Sequence, residues 1–497
     1  MEEIQQEKQA YKQIFNATFI FGGLQIFTIL IGLVRNKVVA LILGPYGSGY
    51  MSLLNLNLGF IAMLTGLGIG FSAVRDISIA TETGDQVKVS TIIKTFRRWT
   101  WFTGILGMAT IIVLSPWLSQ WSFGNKNYIN AFLLMSITLL IGAISTGQST
   151  ILRGARKVKE LANAGIWGTV LGVVTSVPLY YLFGIKGVVP AAIVSSFTGL
   201  FISWFFLRKV KTVPVQISYK ESYIQGKGMA MLGIMLTLHH IIGYVVTYLV
   251  NIFISHKGGL TQVGLYNTGW NFTNQYVSLV FTAMIVDYYP RLAAVHTDVV
   301  KVKKLVNQQA ELAVLIIAPI MLLFLIALPV LIPLLNSKKY LPIVPFTQWM
   351  VIGMLFKAAN WAIGNVALAK GDTKFYFWFE SILGNIVLLI SCIAGYYFYG
   401  LEGMGIAFLV NNVFYFIAII YFSHKRYNVN FTNTFFKILL IQQLFCLIAF
   451  LFVYFLKDIV GYVFGGILLI ISSLYSYKEL NERIDIKEFV QSKIRRK

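Results

Sequence analysis

Charged residues are scarce in this sequence, and acidic ones are scarcer still. Asp, Glu, Lys and Arg together make up 12% of the 497 residues, against about 25% in an ordinary globular domain. Hydrophobic residues make up 57% of the chain and fall in long runs. Runs of about 20 residues match a helix that crosses the hydrocarbon core of a bilayer. The composition excludes a soluble protein and predicts an all-α polytopic membrane protein, because such continuous runs form helices rather than alternating strands.

Several kinds of site are missing as well. The two cysteines, Cys392 and Cys446, lie inside apolar runs and offer no disulfide framework. The five histidines show no metal-ligand spacing with them, and no GxxxxGK[ST] phosphate loop is present. We therefore expect neither a metal nor a cofactor. The net charge of +22 does not point to nucleic acid, since Lys and Arg collect on the cytoplasmic loops of membrane proteins.

The hydropathy pattern predicts fourteen transmembrane helices. With the N-terminus in the cytoplasm, cytoplasmic segments hold 32 of the 41 Lys and Arg residues, so both termini are predicted to be cytoplasmic. The predicted organisation is a cytoplasmic N-terminus at 1–14, a six-helix lobe at 15–208, a cytoplasmic linker at 209–228, a second six-helix lobe at 229–423, an accessory helix pair at 435–477 and a basic cytoplasmic tail at 478–497.

An internal repeat relates the two predicted lobes. GPYGSGYMSLLN from Gly44 matches GLTQVGLYNTGW from Gly259, and GIKGVVPAA from Gly184 matches GLEGMGIAF from Gly400. A third pair, around Gly154 and Gly371, has nearly the same offset of about 216 residues. Six spans is an even number, so the copies enter the membrane from the same side and form a parallel repeat. Such repeats are typical of transporters that bind substrate between two lobes and work by alternating access.

Polar residues recur at helical spacing within several spans, and we interpret them as the lining of a cavity. Small and polar residues also hold membrane helices together, so helix packing is an equally good explanation for these stripes. The predicted polar lining consists of Gln25, Asn55, Asn267, Asn271, Asn274 and Asn360.

Three cations lie inside apolar runs. Arg35 and Lys37 lie towards the outer end of the first span, predicted at 15–43, and Lys357 lies in the middle of the tenth. A cation at the bilayer centre costs roughly 2.5–3.5 kcal/mol on insertion scales, so we assign Lys357 a function. Glu380 is the acid best placed to pair with Lys357 or to couple ions, and His240 is a second candidate for ion coupling.

A cavity lined by these cations and by amides favours an anion with a hydrogen-bonding body. Arg offers a planar fork to phosphate and Lys a point charge. Asn and Gln suit hydroxyl-rich groups. A diphosphate-linked glycan on a lipid tail meets these demands, with Arg35, Lys37 and Lys357 as the diphosphate ligands.

The sequence also resembles a known family. RNKVVALILGPYGSGYMSLLN, followed by GLGIGFSAVRDIS and later AMIVDYYPRL, resembles the O-antigen translocases. These are polysaccharide flippases of the multidrug/oligosaccharidyl-lipid/polysaccharide exporter superfamily. The resemblance covers most of residues 15–425. Arg35, nine residues before Gly44, also resembles a cavity arginine of the peptidoglycan-precursor flippases.

The resemblance implies a two-lobed protein of the bacterial inner membrane and not an enzyme. Such a protein flips undecaprenyl-diphosphate-linked oligosaccharide units to the outer leaflet, coupled to H⁺ or Na⁺ movement, beside the glycan polymerase machinery. Two alternatives stay open. One is a multidrug or cation antiporter of the same superfamily, which would need an acidic cavity. The other is a membrane glycan polymerase or ligase, which would need a large outer loop.

Overall fold

The structure is a computed structural model, and it describes residues 31–456 and 458–484. These residues form helices and connecting turns and contain no strand. Helix α1 is described over 31–42. The other helices are α2 Gly44–Thr65, α3 Ile69–Glu82, α4 Gln86–Phe123, α5 Ile129–Gly154, α6 Val158–Phe183, α7 Val188–Leu207, α8 Tyr219–Ala294, α9 Val299–Leu335, α10 Val344–Ala369, α11 Thr373–Tyr376, α12 Gly384–Tyr427, α13 Asn433–Leu451 and α14 Ile459–Ile484. A π-helical stretch, Phe377–Leu383, joins α11 to α12.

Nine helical segments of the described chain are long and apolar enough to cross a membrane. The number rises to ten if α2 and α3, which meet at a bend of 54°, form one broken span. Three segments are interrupted by a glycine of positive φ, namely Gly184, Gly259 and Gly400, and each of these begins a motif of the sequence repeat. The all-helical membrane fold is thus confirmed, while the count of fourteen stays a prediction.

The chain divides into two compact units. The first comprises the described residues up to Gly264 together with Leu335–Ser337, and the second comprises Leu265–Leu334 and the described residues from Lys338 onward. The first part of α8 therefore packs with the first unit, although the repeat in the sequence assigns it to the second lobe. The predicted lobe boundaries remain predictions based on the repeat.

Backbone conformation matches at paired positions of the repeat. Gly184 has φ 54° and ψ −130°, and Gly400 has φ 59° and ψ −141°. Gly44 and Gly259 both have positive φ, at 64° and 73°. Residues with a Cβ rarely adopt these angles, so glycine is needed where each copy of the chain reverses direction.

Helix α2 packs tightly against residues 260–264 within the first unit. A Cβ added to Gly49 would lie 1.8 Å from the Leu260 carbonyl oxygen, and one added to Gly264 would lie 1.9 Å from the Pro45 oxygen. Gly49 and Gly264 are partners in the sequence repeat. Glycine at both positions allows the two backbones to approach more closely than side chains would permit.

The connection after α7 is fastened to α4. Residues 211–218 are non-helical, and the Lys94 ammonium donates to the Val215 carbonyl at 2.6 Å. Arg98 donates to the Ser222 hydroxyl at 2.6 Å, and Trp99 Nε1 donates to the Ser222 carbonyl at 3.0 Å. Arg98 also donates to the Ile217 and Ser218 carbonyls at 3.1 and 3.0 Å, so Lys94 and Arg98, four residues apart on one face of α4, hold the connection and the first turn of α8.

Candidate functional site

Arg35 lies near an internal surface of the first unit. The residue is partly buried on α1, and it lines two adjoining cavities. Its guanidinium makes no hydrogen bond or ion pair with the described part of the chain. A guanidinium has five donors in a fixed fork, so those donors are available to a ligand.

The larger of these two cavities, here called the groove, has a volume of about 420 Å³. Arg153, in the last turn of α5, is a second arginine in its lining. The groove is formed by α1, α5, α6 and α7. Its other lining residues are mostly small or carry a hydroxyl: Ser145, Ser149, Leu161, Ala164, Gly165, Gly168, Thr169, Gly172, Val173, Ser195, Gly199 and Ser203.

The second cavity, here called the chamber, has a volume of about 290 Å³ and shares Arg35 and Ser195 with the groove. Asn55 lines the chamber, so Arg35 and Asn55 are two predicted site residues that the fold brings to one cavity. No Asp or Glu is found among the described residues that line the groove or the chamber. The local charge is therefore positive, which favours an anion.

Hydroxyl groups along the groove form a short network. The Ser203 hydroxyl donates to Gln148 Oε1 and lies 3.1 Å from the Ser145 hydroxyl. Since Gln148 accepts through its oxygen, its amide group keeps two further donors. The network fixes α5 against α7 and leaves polar atoms beside the groove.

A third cavity of about 390 Å³, here called the threonine cavity, shares Thr138 and Ser196 with the chamber. Thr65, Thr100 and Thr150 in its lining each donate their hydroxyl proton to the carbonyl four residues earlier, at 2.8–2.9 Å. With the protons used in this way, the lone pairs of these hydroxyls remain for the cavity. The threonine cavity thus offers acceptors, whereas the groove offers cationic donors.

Lys357 is held inside the second unit. Its ammonium donates to Asn274 Oδ1 at 2.6 Å and lies 5.7 Å from the centre of the Phe408 ring. Both Lys357 and Asn274 were predicted site residues, and they are direct partners. Glu380 lies instead against Gly364, where an added Cβ would come within 2.8 Å of Glu380 Oε1. An ion pair between Lys357 and Glu380 is not formed among the described residues, so that suggested pairing is not made in this structure.

The remaining predicted residues are dispersed. Asn360 is buried and donates to the Asn412 carbonyl at 3.0 Å, a contact that holds α10 against α12. Asn271 and His240 are exposed, and the His240 ring stacks on Phe71. Lys37 and Asn267 are partly buried. Gln25 lies outside the described residues.

Sequence reasoning missed Arg153 and the groove itself. The signal was present as three helical faces. Ser145, Ser149 and Arg153 recur every four residues on α5, and Ser195, Gly199 and Ser203 do the same on α7. Helix α6 contributes glycines at 165, 168 and 172. The sequence could not show that these faces meet, because nothing in it pairs α5 with α6 and α7.

A buried asparagine was missed too. Asn57 is fully buried, donates to the Ser122 hydroxyl at 2.8 Å and accepts from the Tyr248 hydroxyl at 2.7 Å. These bonds join α2, α4 and α8 within the first unit. Asn57 holds helices together, whereas Asn55, two residues earlier, faces the chamber.

Structures of transporters share this fold. The chain resembles an inward-facing multidrug resistance MATE family transporter of the MOP superfamily, with a TM-score of 0.67, 16% identity and coverage of 82% of this chain and 96% of that chain. It also resembles the lipid II flippase MurJ in an inward closed conformation, with a TM-score of 0.64, 15% identity and coverage of 93% and 99%. A MOP superfamily transporter from Pyrococcus furiosus, described as having a binding pocket of reverse polarity, gives a TM-score of 0.54, 15% identity and coverage of 83% and 95%.

No curated protein matches the sequence at a significant level. A family model described as "Polysaccharide biosynthesis protein" matches residues 38–345, which is more than half of the chain. The resemblance to polysaccharide flippases that the sequence indicated is confirmed. The chain belongs to the polysaccharide biosynthesis protein family and has the fold of the MOP superfamily transporters.

Proposed function

We propose that this protein is a flippase for lipid-linked oligosaccharides. It moves undecaprenyl-diphosphate-linked repeat units, of O-antigen or a related surface polysaccharide, from the inner to the outer leaflet of the bacterial inner membrane. The termini lie in the cytoplasm, and H⁺ or Na⁺ movement drives alternating access. The headgroup enters the protein while the polyprenyl tail stays in the bilayer.

The observation that carries this proposal is the position of Arg35. It lines both the groove and the chamber, where Asn55 and serine hydroxyls are present and the described lining contains no carboxylate. Phosphate oxygens suit the guanidinium fork, and sugar hydroxyls suit amides and serines. Membership of a polysaccharide biosynthesis family supports the same substrate class.

A multidrug antiporter is the main competing function, and the similarity to a multidrug MATE transporter is its support. That similarity concerns the fold alone. An antiporter for organic cations needs carboxylates to bind them, and two arginines line the groove instead. The charge of the groove therefore favours an anionic substrate.

The test is reconstitution of the full chain into liposomes that contain a fluorescent undecaprenyl-diphosphate-linked oligosaccharide. We expect the purified protein to expose the glycan of inner-leaflet molecules to an enzyme or quencher added outside. Empty liposomes and liposomes with heat-inactivated protein are the controls. Export of an organic cation dye without any movement of the glycolipid would reject the flippase and support the antiporter.

A further inference from the structure

We propose that the threonine cavity of the first unit is a binding site for Na⁺, formed by hydroxyl and carbonyl oxygens without a carboxylate. The inference rests on the proposed function in one respect, because it names Na⁺ rather than H⁺ as the ion that drives transport. It gives a role to the threonine cavity and to the break between α2 and α3, which the proposed function leaves without one.

The break between α2 and α3 places a helix end beside the cavity. It lies inside the second predicted span, 48–74, where Leu67 and Gly68 both have positive φ, at 52° and 61°. Thr65 and Gly66, at the end of α2, line the threonine cavity. The last turn of a helix has carbonyl oxygens without intrahelical donors and carries the negative end of the helix dipole. Ends of discontinuous helices coordinate Na⁺ in this way in membrane transporters.

The hydroxyls of the cavity are acceptors rather than donors. The lining residues with a hydroxyl are Thr65, Thr100, Thr103, Thr138, Thr146, Thr150 and Ser196. All of these except Thr146 donate the hydroxyl proton to a backbone carbonyl of their own helix, at 2.6–3.2 Å. Among the described residues that line the cavity, none is charged or titratable. The cavity therefore favours a hard cation over an anion or a proton, and without a carboxylate a single positive charge costs less to bury than two.

Three glycines face hydroxyls of this cavity from neighbouring helices. The distances from an added Cβ to the facing Oγ1 are 2.9 Å for Gly107 and Thr65, 3.2 Å for Gly147 and Thr100, and 3.5 Å for Gly70 and Thr150. A side chain at these glycines would press on the hydroxyls, so glycine keeps oxygens of α2, α4 and α5 at one cavity. The volume of about 390 Å³ far exceeds the roughly 10–15 Å³ that one water needs. A bound Na⁺ therefore keeps part of its hydration shell.

The test is binding of radioactive Na⁺ to the purified full chain in detergent, measured by scintillation proximity without any glycolipid. We expect the wild type to bind Na⁺ saturably, with competition from unlabelled NaCl but not from choline chloride. Thr100→Val combined with Thr150→Val removes two oxygens with little change in volume and should weaken the affinity by at least about tenfold. Thr110→Val is the matched control, because Thr110 also lies on α4 and donates to the Leu106 carbonyl but does not line the cavity. The control should bind Na⁺ like the wild type.

A wild type without saturable Na⁺ binding would overturn the proposal, as would a double valine variant that binds like Thr110→Val. If the double variant fails to fold, Gly142→Leu tests the same cavity. Gly142 lines it, and an added Cβ there would find no atom within 4 Å, as at the open glycines 165, 168 and 172 of α6. Leucine should fill the space and remove Na⁺ binding, and unchanged binding would reject the site.

Flipping of the glycolipid in liposomes is measured separately, so the two proposals can fail independently. Flipping by a protein that does not bind Na⁺ would reject the cation site and leave the flippase. Saturable Na⁺ binding without any flipping would retain the site and reject the flippase. If both proposals hold, flipping should require a Na⁺ gradient and should be lost in the double valine variant.

Discussion

Arg35 is the residue on which the proposed anion site depends most directly. It supplies charge to two cavities at once and has its donors free within the described chain. Lysine at this position would keep the charge but lose the planar fork, and alanine would remove both.

We expect Arg35→Ala to lower the affinity for the glycolipid by about 10- to 100-fold, the equivalent of about 1.5–3 kcal/mol for hydrogen bonds to a charged group. Arg35→Lys should lie between alanine and the wild type. The measurement is glycolipid binding by the purified protein, together with glycan display in cells. Lys126→Ala, which removes an exposed cation from the connection between α4 and α5, is the matched control. Binding by Arg35→Ala equal to that of the control would contradict this role.

Lys357 allows function and stability to be separated. Its ammonium is held by Asn274 in a largely apolar unit, and a cation in a membrane helix opposes insertion by a few kcal/mol. We expect Lys357→Met to reach the membrane in normal or increased amounts and yet to lose glycan transport. Asn274→Ala should lose transport less completely, because the cation would remain. Transport at the wild-type rate in Lys357→Met would leave Lys357 with a packing role only.

Asp372 is an acidic residue outside the spans whose ionisation is linked to stability. A hydrogen bond from Arg426 lowers the pKa of its carboxyl, and bonds from the Tyr427 hydroxyl and the Phe375 N–H act in the same direction. A carboxyl whose pKa is lower in the folded state stabilises the fold above its unfolded pKa of about 4, and this contribution disappears as the pH falls through the folded value.

Asp372→Asn keeps a residue that can cap α11 but removes the charge. We expect the variant to be less stable than the wild type at pH 7 by at most about 1 kcal/mol, since the partner Arg426 is half exposed. Once the pH has fallen below the folded pKa of Asp372, the two proteins should unfold at the same temperature. Thermal unfolding in detergent across this range measures the difference, and a gap that persists in acid would show that the charge is not its cause.

At the scale of helices, Gly49 and Gly264 mark a close approach of α2 to residues 260–264 within the first unit. Each position faces a backbone oxygen with no room for a Cβ. We expect Gly49→Val to destabilise the protein by about 3 kcal/mol or more, because the obstacle is backbone rather than a side chain that can turn away. Gly165→Val is the control, since the space around Gly165 is open. The readout is the fraction that remains monodisperse after extraction in detergent.

Much of the helical layout could be predicted because glycine reports backbone conformation directly. Gly184 and Gly400 were aligned by sequence, and they have nearly the same φ and ψ. Arg35 and Asn55 could be assigned to a cavity because a polar side chain in an apolar membrane helix is costly unless it faces water or a polar partner. The partners could not be assigned, because α10 alone does not show that Asn274 rather than Glu380 faces Lys357. Arg153 was missed since an arginine at a helix end is ordinarily a topological anchor.

For the whole molecule, the proposed diphosphate-linked cargo determines whether a membrane potential speeds or slows transport. An outward-moving diphosphate carries negative charge, and an inside-negative potential of 100 mV favours its movement by about 2.3 kcal/mol per elementary charge. We expect flipping in liposomes to accelerate when a potassium gradient with valinomycin makes the lumen negative, for protein molecules whose cytoplasmic side faces the lumen. A gradient of opposite sign should slow it. Acceleration by the opposite potential would contradict this expectation. It would indicate that cations cross with the substrate and carry more positive charge than the substrate carries negative charge.

The open glycine face of α6 has a consequence for inhibition. A compound lodged against Gly165, Gly168 and Gly172 would touch main-chain atoms, which mutation cannot replace. A side chain added there to exclude the compound would, under the proposed function, also obstruct the glycolipid. This part of the protein is therefore a target at which escape and loss of fitness coincide.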